Sequence, residues 1–245
     1  MADSAAPPLL RTESLSMHFG GVKAVESVTF TLGEGELRCL IGPNGAGKST
    51  FFRCLTKIYR PNAGKIYFRG QDVTSIATHE MARLGVGIKT QVPSVFDGLT
   101  VHENLMLAAS ARHRGREVGR TVDEVVERLS LQAVLAAQLD RLSHGQRQWI
   151  ELAIVITSKP SLILLDEPTA GMTHAEVEHT ADLIRELNKS AALIVVEHDM
   201  QFIRSIATHV TVFHEGRIFL EESAEKVLHD ERVGEIYLGK GTFAK

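Results

Sequence analysis

Residues 42–49 read Gly42-Pro43-Asn44-Gly45-Ala46-Gly47-Lys48-Ser49, which fits the pattern G-x-x-x-x-G-K-[ST]. The apolar run Leu37-Arg38-Cys39-Leu40-Ile41 precedes it, and a helical pattern follows from Lys48 to about Lys57. Strand, Gly-rich turn and helix are the context in which this pattern cradles phosphate. Glycine lets the backbone wrap closely, so that N–H groups point inward at an anion. The helix N-terminus adds partial positive charge. Lys48 then reaches the β- and γ-phosphates of a nucleoside triphosphate, and the Ser49 hydroxyl serves Mg²⁺. The nucleotide-binding set on this stretch is Asn44, Gly45, Ala46, Gly47, Lys48, Ser49 and Thr50.

Working outward, residues 162–167 read Leu-Ile-Leu-Leu-Asp-Glu, an apolar strand ending in two carboxylates. In open α/β sheets, ligands bind beyond the carboxyl ends of the strands. Side chains alternate along a strand, so Asp166 and Glu167 aim in different directions. Asp166 is placed to hold Mg²⁺, and Glu167 to face the attacking water as general base. A second apolar strand, residues 191–196, ends in Glu197-His198-Asp199, and His198 there is placed to donate to a γ-phosphate. Taken alone, a histidine at that point also reads as a surface or packing residue. The other histidines form no metal motif: His174 and His179 are wrongly spaced for one helix face, and H-E-x-x-H is absent.

The rest of the chain supplies the setting. It has 245 residues, 44% hydrophobic and 23% charged, ordinary for one globular domain or one with an appended lobe. The net charge of −3 excludes a protein that coats nucleic acid by bulk charge. Cys39 and Cys54 read as buried free thiols rather than a disulfide frame. No run of 18 apolar residues occurs, so no transmembrane helix is expected. Residues 1–10 read as a disordered lead without the basic and apolar segments of a signal peptide. The folded unit is expected over 11–245, on the cytoplasmic side. Strands with tight turns dominate the first seventy residues, at 14–19, 27–32 and 65–68 besides the run before the loop. Helical periodicity takes over at 101–110, 121–129 and 131–139, and is read as an inserted lobe over about 92–145. The basic run Arg112-His113-Arg114-Gly115-Arg116 reads as a solvated loop in that lobe, with contact to a partner or lipid head groups as the other reading. Helices are expected at 175–188 and 200–206, and two short strands flank Glu215-Gly216. The fold expected is α/β: a P-loop NTPase core with a mainly parallel sheet, an N-terminal antiparallel β subdomain and the helical lobe.

These residues, with Leu142-Ser143-His144-Gly145-Gln146 ahead of another helix, make the chain resemble the ATP-binding-cassette transporter ATPases. The order Phe19, Lys48, Gln91, Ser143, Asp166-Glu167, His198 is that family's order. The resemblance implies an adenine-stacking role for Phe19, which on residue type alone also reads as core. It implies a Q-loop role for Gln91, at the catalytic site and the Mg²⁺ ion. It also implies that two such chains, alike or related, pair head to tail around two ATP molecules, with Ser143 and Gly145 meeting the partner's γ-phosphate. A Ser at that point also reads as a plain helix cap. Further implied partners are transmembrane permease subunits at the inner membrane and, indirectly, a periplasmic substrate-binding protein.

Two positions depart from the family pattern. His144 stands where Gly is usual, which would cost about 1 kcal/mol if that position needs positive φ. Thr173 stands where the D-loop often ends in Asp. Glu197-His198-Asp199-Met200 and Glu235-Ile236-Tyr237-Leu238-Gly239 are similar to branched-chain amino acid importer ATPases. Gly35-Glu36-Leu37-Arg38-Cys39, His144 and Ala170-Gly171-Met172-Thr173 are similar to urea-importer ATPases of the same branch. Urea or short amides are therefore the narrowly preferred cargo, ahead of branched-chain amino acids, and a lipopolysaccharide export ATPase is the third reading. Sustained heptads and a second cassette, which DNA-maintenance and translation ATPases need, are absent.

Overall fold

The computed structural model describes residues 7–90 and 95–238. Two sheets organise it. The first is four-stranded and antiparallel, order β2-β1-β4-β5, built from β1 (Leu10–Phe19), β2 (Val22–Leu32), β4 (Ala63–Phe68) and β5 (Gln71–Asp72). The second is six-stranded, order β10-β9-β3-β8-β7-β6. In it β3 (Leu37–Ile41) lies between β8 (Ala192–Val196) and β9 (His209–His214), with β7 (Leu162–Asp166) and β6 (Val86–Lys89) beyond β8. These five strands run parallel, and β10 (Arg217–Ser223) closes the edge antiparallel to β9. Every residue of β3, β7 and β8 is buried, as mostly apolar strands between covering layers require. The α/β reading and the N-terminal antiparallel subdomain are both present.

The helices cover both faces. On one side α1 (Lys48–Leu55) packs Phe51 and Phe52 against Leu40, Leu164, Ile194 and the first sheet. On the other lie α5 (His144–Ile156), α6 (His174–Asn188) and α7 (Met200–Ile206), with the lobe helices α3 (Val101–Ser110) and α4 (Arg116–Arg128). Cys39 and Cys54 are buried free thiols, as read. No helix among the described residues is long and apolar enough to cross a membrane.

Some expectations need correcting. The ordered chain begins before residue 11: Leu9 and Leu10 are each 1% exposed, and β1 starts at Leu10. Residues 1–6 lie outside the described residues. The helix expected at 131–139 is instead two 3₁₀ turns, Gln132–Val134 and Leu139–Arg141. The carbonyls of the segment between them accept from the start of α3: Val101 N–H donates to Ala137 O at 3.0 Å, and His102 N–H donates to Leu135 O at 3.0 Å. Those acceptors cannot also serve a continuous α-helix. A short helix not foreseen, α2 (Thr78–Leu84), precedes β6. The basic loop is exposed as expected, yet Arg112 reaches back to Ala82 O and Arg83 O, the carbonyl end of α2.

Candidate active site

The ends of β3, β8 and β7 converge by register. Leu40 pairs with Val196, and Val196 pairs with Asp166. Beyond these pairs the chain continues as Gly42, Glu197 and Glu167, so the three sequence motifs meet at one edge of the sheet. The loop after β3 is held in shape by its glycines. Gly42 stands at φ 142, and a Cβ there would lie 2.2 Å from Phe213 O. Gly47 stands at φ 101, and a Cβ there would lie 2.3 Å from Ala24 O. Neither position admits a side chain. The β9–β10 turn props the loop from behind, with Gly216 N–H donating to Ala46 O at 3.0 Å.

Lys48 opens α1 and folds its ammonium over the loop, donating to Gly42 O at 2.5 Å and Pro43 O at 3.0 Å. Burial lowers its pKa, while Glu167 and Asp166 oppose that shift. Asp166 ends β7 at 4% exposure, and its Oδ1 has no hydrogen-bond partner. Burial first, and the neighbouring Glu167 charge second, push its pKa up to about 6. A buried carboxylate oxygen without a donor fits a cation or its bound water. Asp166 and Ser49 are therefore the described residues that would hold Mg²⁺.

Glu167 stands at φ 47, a left-handed conformation that costs a residue with a Cβ about 1–2 kcal/mol. Its N–H donates to Val196 O at 2.9 Å, which fixes that turn. The turn carries its carboxylate toward His198, whose Nδ1 lies 3.9 Å from Glu167 Oε1 and 3.8 Å from Glu197 Oε2. His198 is mostly exposed, so the packing reading falls away.

No separate role for Glu197 follows from the sequence. It is 1% exposed and accepts from Thr169 N, Thr169 Oγ1 and His198 N at 3.1, 2.5 and 3.0 Å. It thereby fixes the segment after Glu167 against the histidine. Its signal was an acid at the end of a fully buried strand. Equally unforeseen is a buried ion pair, Lys89 with Glu151 at 3.5 Å, joining the end of β6 to α5.

Phe19 is 43% exposed, so it is no core residue. It pairs with Val22 at the turn beside Ala24, which touches the phosphate loop. The Tyr59 ring meets it edge-on at 5.2 Å and steadies it.

The signature segment lies elsewhere on the surface. Ser143 caps α5: its Oγ accepts from Gln146 N at 3.2 Å, and Gln146 Oε1 accepts from Ser143 N at 3.1 Å. The cap reading therefore holds. Ser143 Oγ also donates to Glu176 Oε1 at 3.5 Å. His144 is the first residue of α5 and is absent from the positive-φ residues, so the anticipated strain does not arise. Its Nε2 pairs instead with Ala170 O at 2.9 Å, tying the signature to the segment after Glu167. Thr173 caps α6 through Glu176. Gln91 lies outside the described residues.

Comparison with known proteins agrees with this fold. The model of the ABC transporter family matches residues 25–170. The branched-chain amino acid transport ATP-binding protein LivG of Escherichia coli (strain K12) is 32% identical, over 95% of this chain and 98% of that protein. BraF of Pseudomonas aeruginosa, a transport ATP-binding protein of the same description, is 30% identical over 95% and 98%. The lipopolysaccharide export system ATP-binding protein LptB of Haemophilus influenzae is 31% identical over 95% and 98%. Among solved structures, the ADP conformation of the ATP-binding cassette MJ1267 superposes with a TM-score of 0.87. It is 27% identical and covers 96% of this chain and 100% of that one.

Proposed function

Because this chain belongs to the ABC transporter family as an ATPase, we propose that it is the ATP-hydrolysing subunit of a membrane importer, acting at the cytoplasmic face of the inner membrane. One observation carries the catalytic reading: Lys48, Asp166, Glu167 and His198 converge past the ends of three neighbouring parallel strands, with His198 3.9 Å from Glu167. On ATP binding, Lys48 exchanges the Gly42 and Pro43 carbonyls for the β- and γ-phosphates. Backbone N–H groups of Asn44, Gly45, Ala46, Gly47, Lys48, Ser49 and Thr50 line the phosphates. Phe19 stacks on the base. Glu167 accepts the proton of the attacking water, and His198 donates to the γ-phosphate. Ser49 and Asp166, together with Gln91, would hold Mg²⁺, which would supply charge to offset the phosphate oxygens. Ser143 and Gly145 of a second ATPase chain, the same or a related one, complete the site. The cassette is taken to begin at Leu9 rather than at residue 11, with its lobe at about 92–145.

For permease subunits, a cleft of about 860 Å³ between core and lobe supports the reading. It is walled by Ile88 at the end of β6, Ala108, Arg112 and Val155, so that a docked element would touch both halves of the cassette. For cargo, the full-length likeness to LivG and BraF favours branched-chain amino acids over the urea preferred from sequence. The urea reading stays second, on the runs at 35–39 and 170–173 and on His144. A periplasmic binding protein would present the cargo. The test is reconstitution with the membrane subunits that co-purify with the chain and the receptor encoded beside it. Stimulation of hydrolysis by receptor loaded with leucine supports the proposal, and stimulation by urea alone supports the second reading. No co-purifying membrane subunit, or stimulation by lipopolysaccharide alone, overturns the importer.

A further inference from the structure

We propose that Tyr237, on the last described helix (Glu231–Leu238), is a positioning residue of the nucleotide site, holding the first peptide of the phosphate loop in its phosphate-receiving shape. The inference rests on the ATP site described under Proposed function. The Gly42 N–H donates to the Tyr237 hydroxyl at 2.5 Å, across 195 positions of sequence. Gly42 is buried, at φ 142, and lies against the Phe213 carbonyl. An unpaired N–H at such a point would carry the cost of a buried polar group.

The same glycine is held from both sides: Tyr237 takes its N–H, and Lys48 takes its carbonyl at 2.5 Å. The two holds differ in what ATP does to them. Lys48 leaves the carbonyl when it turns to the phosphates. The Tyr237 bond engages the opposite side of the residue and persists through binding and hydrolysis. Without it the free loop leaves the phosphate-receiving shape and must be re-ordered on binding, a cost that ground and transition states share, so the loss acts on affinity rather than on the chemical step.

The phenol is suited to this hold. Its ring is half-buried and packs against the core cluster that includes α7. Burial pushes its pKa up to about 12, so the hydroxyl stays neutral at any working pH. The helix that carries it also walls a cavity of about 450 Å³ shared with His198, Met200 and Arg204. One short helix thus borders both the phosphate loop and the histidine that faces the γ-phosphate.

Tyr237→Phe separates this role from packing, because it keeps the ring and removes the acceptor. Calorimetric titration of the full-length variant should show ATP and ADP binding weakened alike, by about five- to tenfold. KM should rise in step while kcat changes less than twofold, and the unfolding midpoint should fall by no more than a few degrees. Tyr237→Leu should show the same loss of affinity together with a lower midpoint. A Phe variant with wild-type affinity and KM, beside a destabilised Leu variant, would reduce Tyr237 to a packing residue and overturn the inference. Lys48→Ala is measured alongside. If that variant also binds ATP like the wild type, the ATP site itself is misassigned and the inference falls with it.

Discussion

The phosphate half of the site and the signature half are built on opposite terms. The phosphate half is strained and incompletely satisfied, and Asp166 at its centre is buried. Gly42 and Gly47 exclude any side chain, Glu167 sits at φ 47, and Asp166 Oδ1 has no hydrogen-bond partner. The signature half is exposed and relaxed. Ser143, Gln146, Thr173 and Glu176 close two reciprocal capping boxes, and His144 has found Ala170. Strain and desolvation persist where function selects them, since otherwise they only subtract stability. On the function proposed above, the phosphate half carries the chemistry, and the signature half works only when a second chain brings it a phosphate.

That contrast can be broken at several points. Glu167→Gln should lower steady-state hydrolysis about 10²–10⁴-fold, since the amide cannot accept the proton of water. ATP binding should persist, and a variant that hydrolyses at the wild-type rate removes Glu167 as base. Lys48→Ala should weaken ATP binding about 10- to 100-fold, the loss of charged hydrogen bonds to phosphate. Titration with ATP and with AMP separates the effect, because AMP lacks the β- and γ-phosphates and should bind unchanged. Phe19→Ala should cost about 1–3 kcal/mol of nucleotide affinity, alike for ATP and GTP, because stacking does not read base edges. A strongly base-dependent loss would show that Phe19 is no simple platform.

The smallest expected effect measures the strain directly. Asp166 is raised from 3.8 to about 6 in the fold, so the fold prefers its neutral form. Its ionisation costs stability, and that cost is absent below pH 3.8 and complete once pH passes about 6. Asp166→Asn should stabilise the Mg²⁺-free protein at pH 8 by about 1 kcal/mol, with the gain vanishing near pH 4. Urea unfolding at the two values reads the difference. A variant less stable than the wild type at pH 8 would show that Asp166 is not the strained group described.

The phosphate half was legible in the sequence because its parts are local. A Gly-rich loop after an apolar strand, and carboxylates after another, each declare themselves within eight residues. The two strands lie on either side of β8, and all three are mostly apolar and buried along their length. Non-local partners were hidden. Lys89 meets Glu151, Glu197 organises Thr169, and Tyr237 reaches Gly42, each pair far apart in the chain. The 131–139 segment misled for a related reason. Leu131, Val134, Leu135 and Leu139 have helical spacing, but α3 claims the intervening carbonyls. Periodicity reports which face is buried and cannot report which backbone groups a distant element takes.

Light scattering during size exclusion of Glu167→Gln tests most directly whether the resting signature half serves a second chain. The chain is loaded with the ATPase partner with which it co-purifies, or alone if it has none. Binding that is linked to association favours the associated state by mass action. ATP should therefore double the mass, ADP should not, and adding Ser143→Arg to the same chain should return it to a monomer that still binds ATP. A Glu167→Gln chain that stays monomeric with saturating ATP, or a dimer indifferent to Ser143→Arg, would contradict the account.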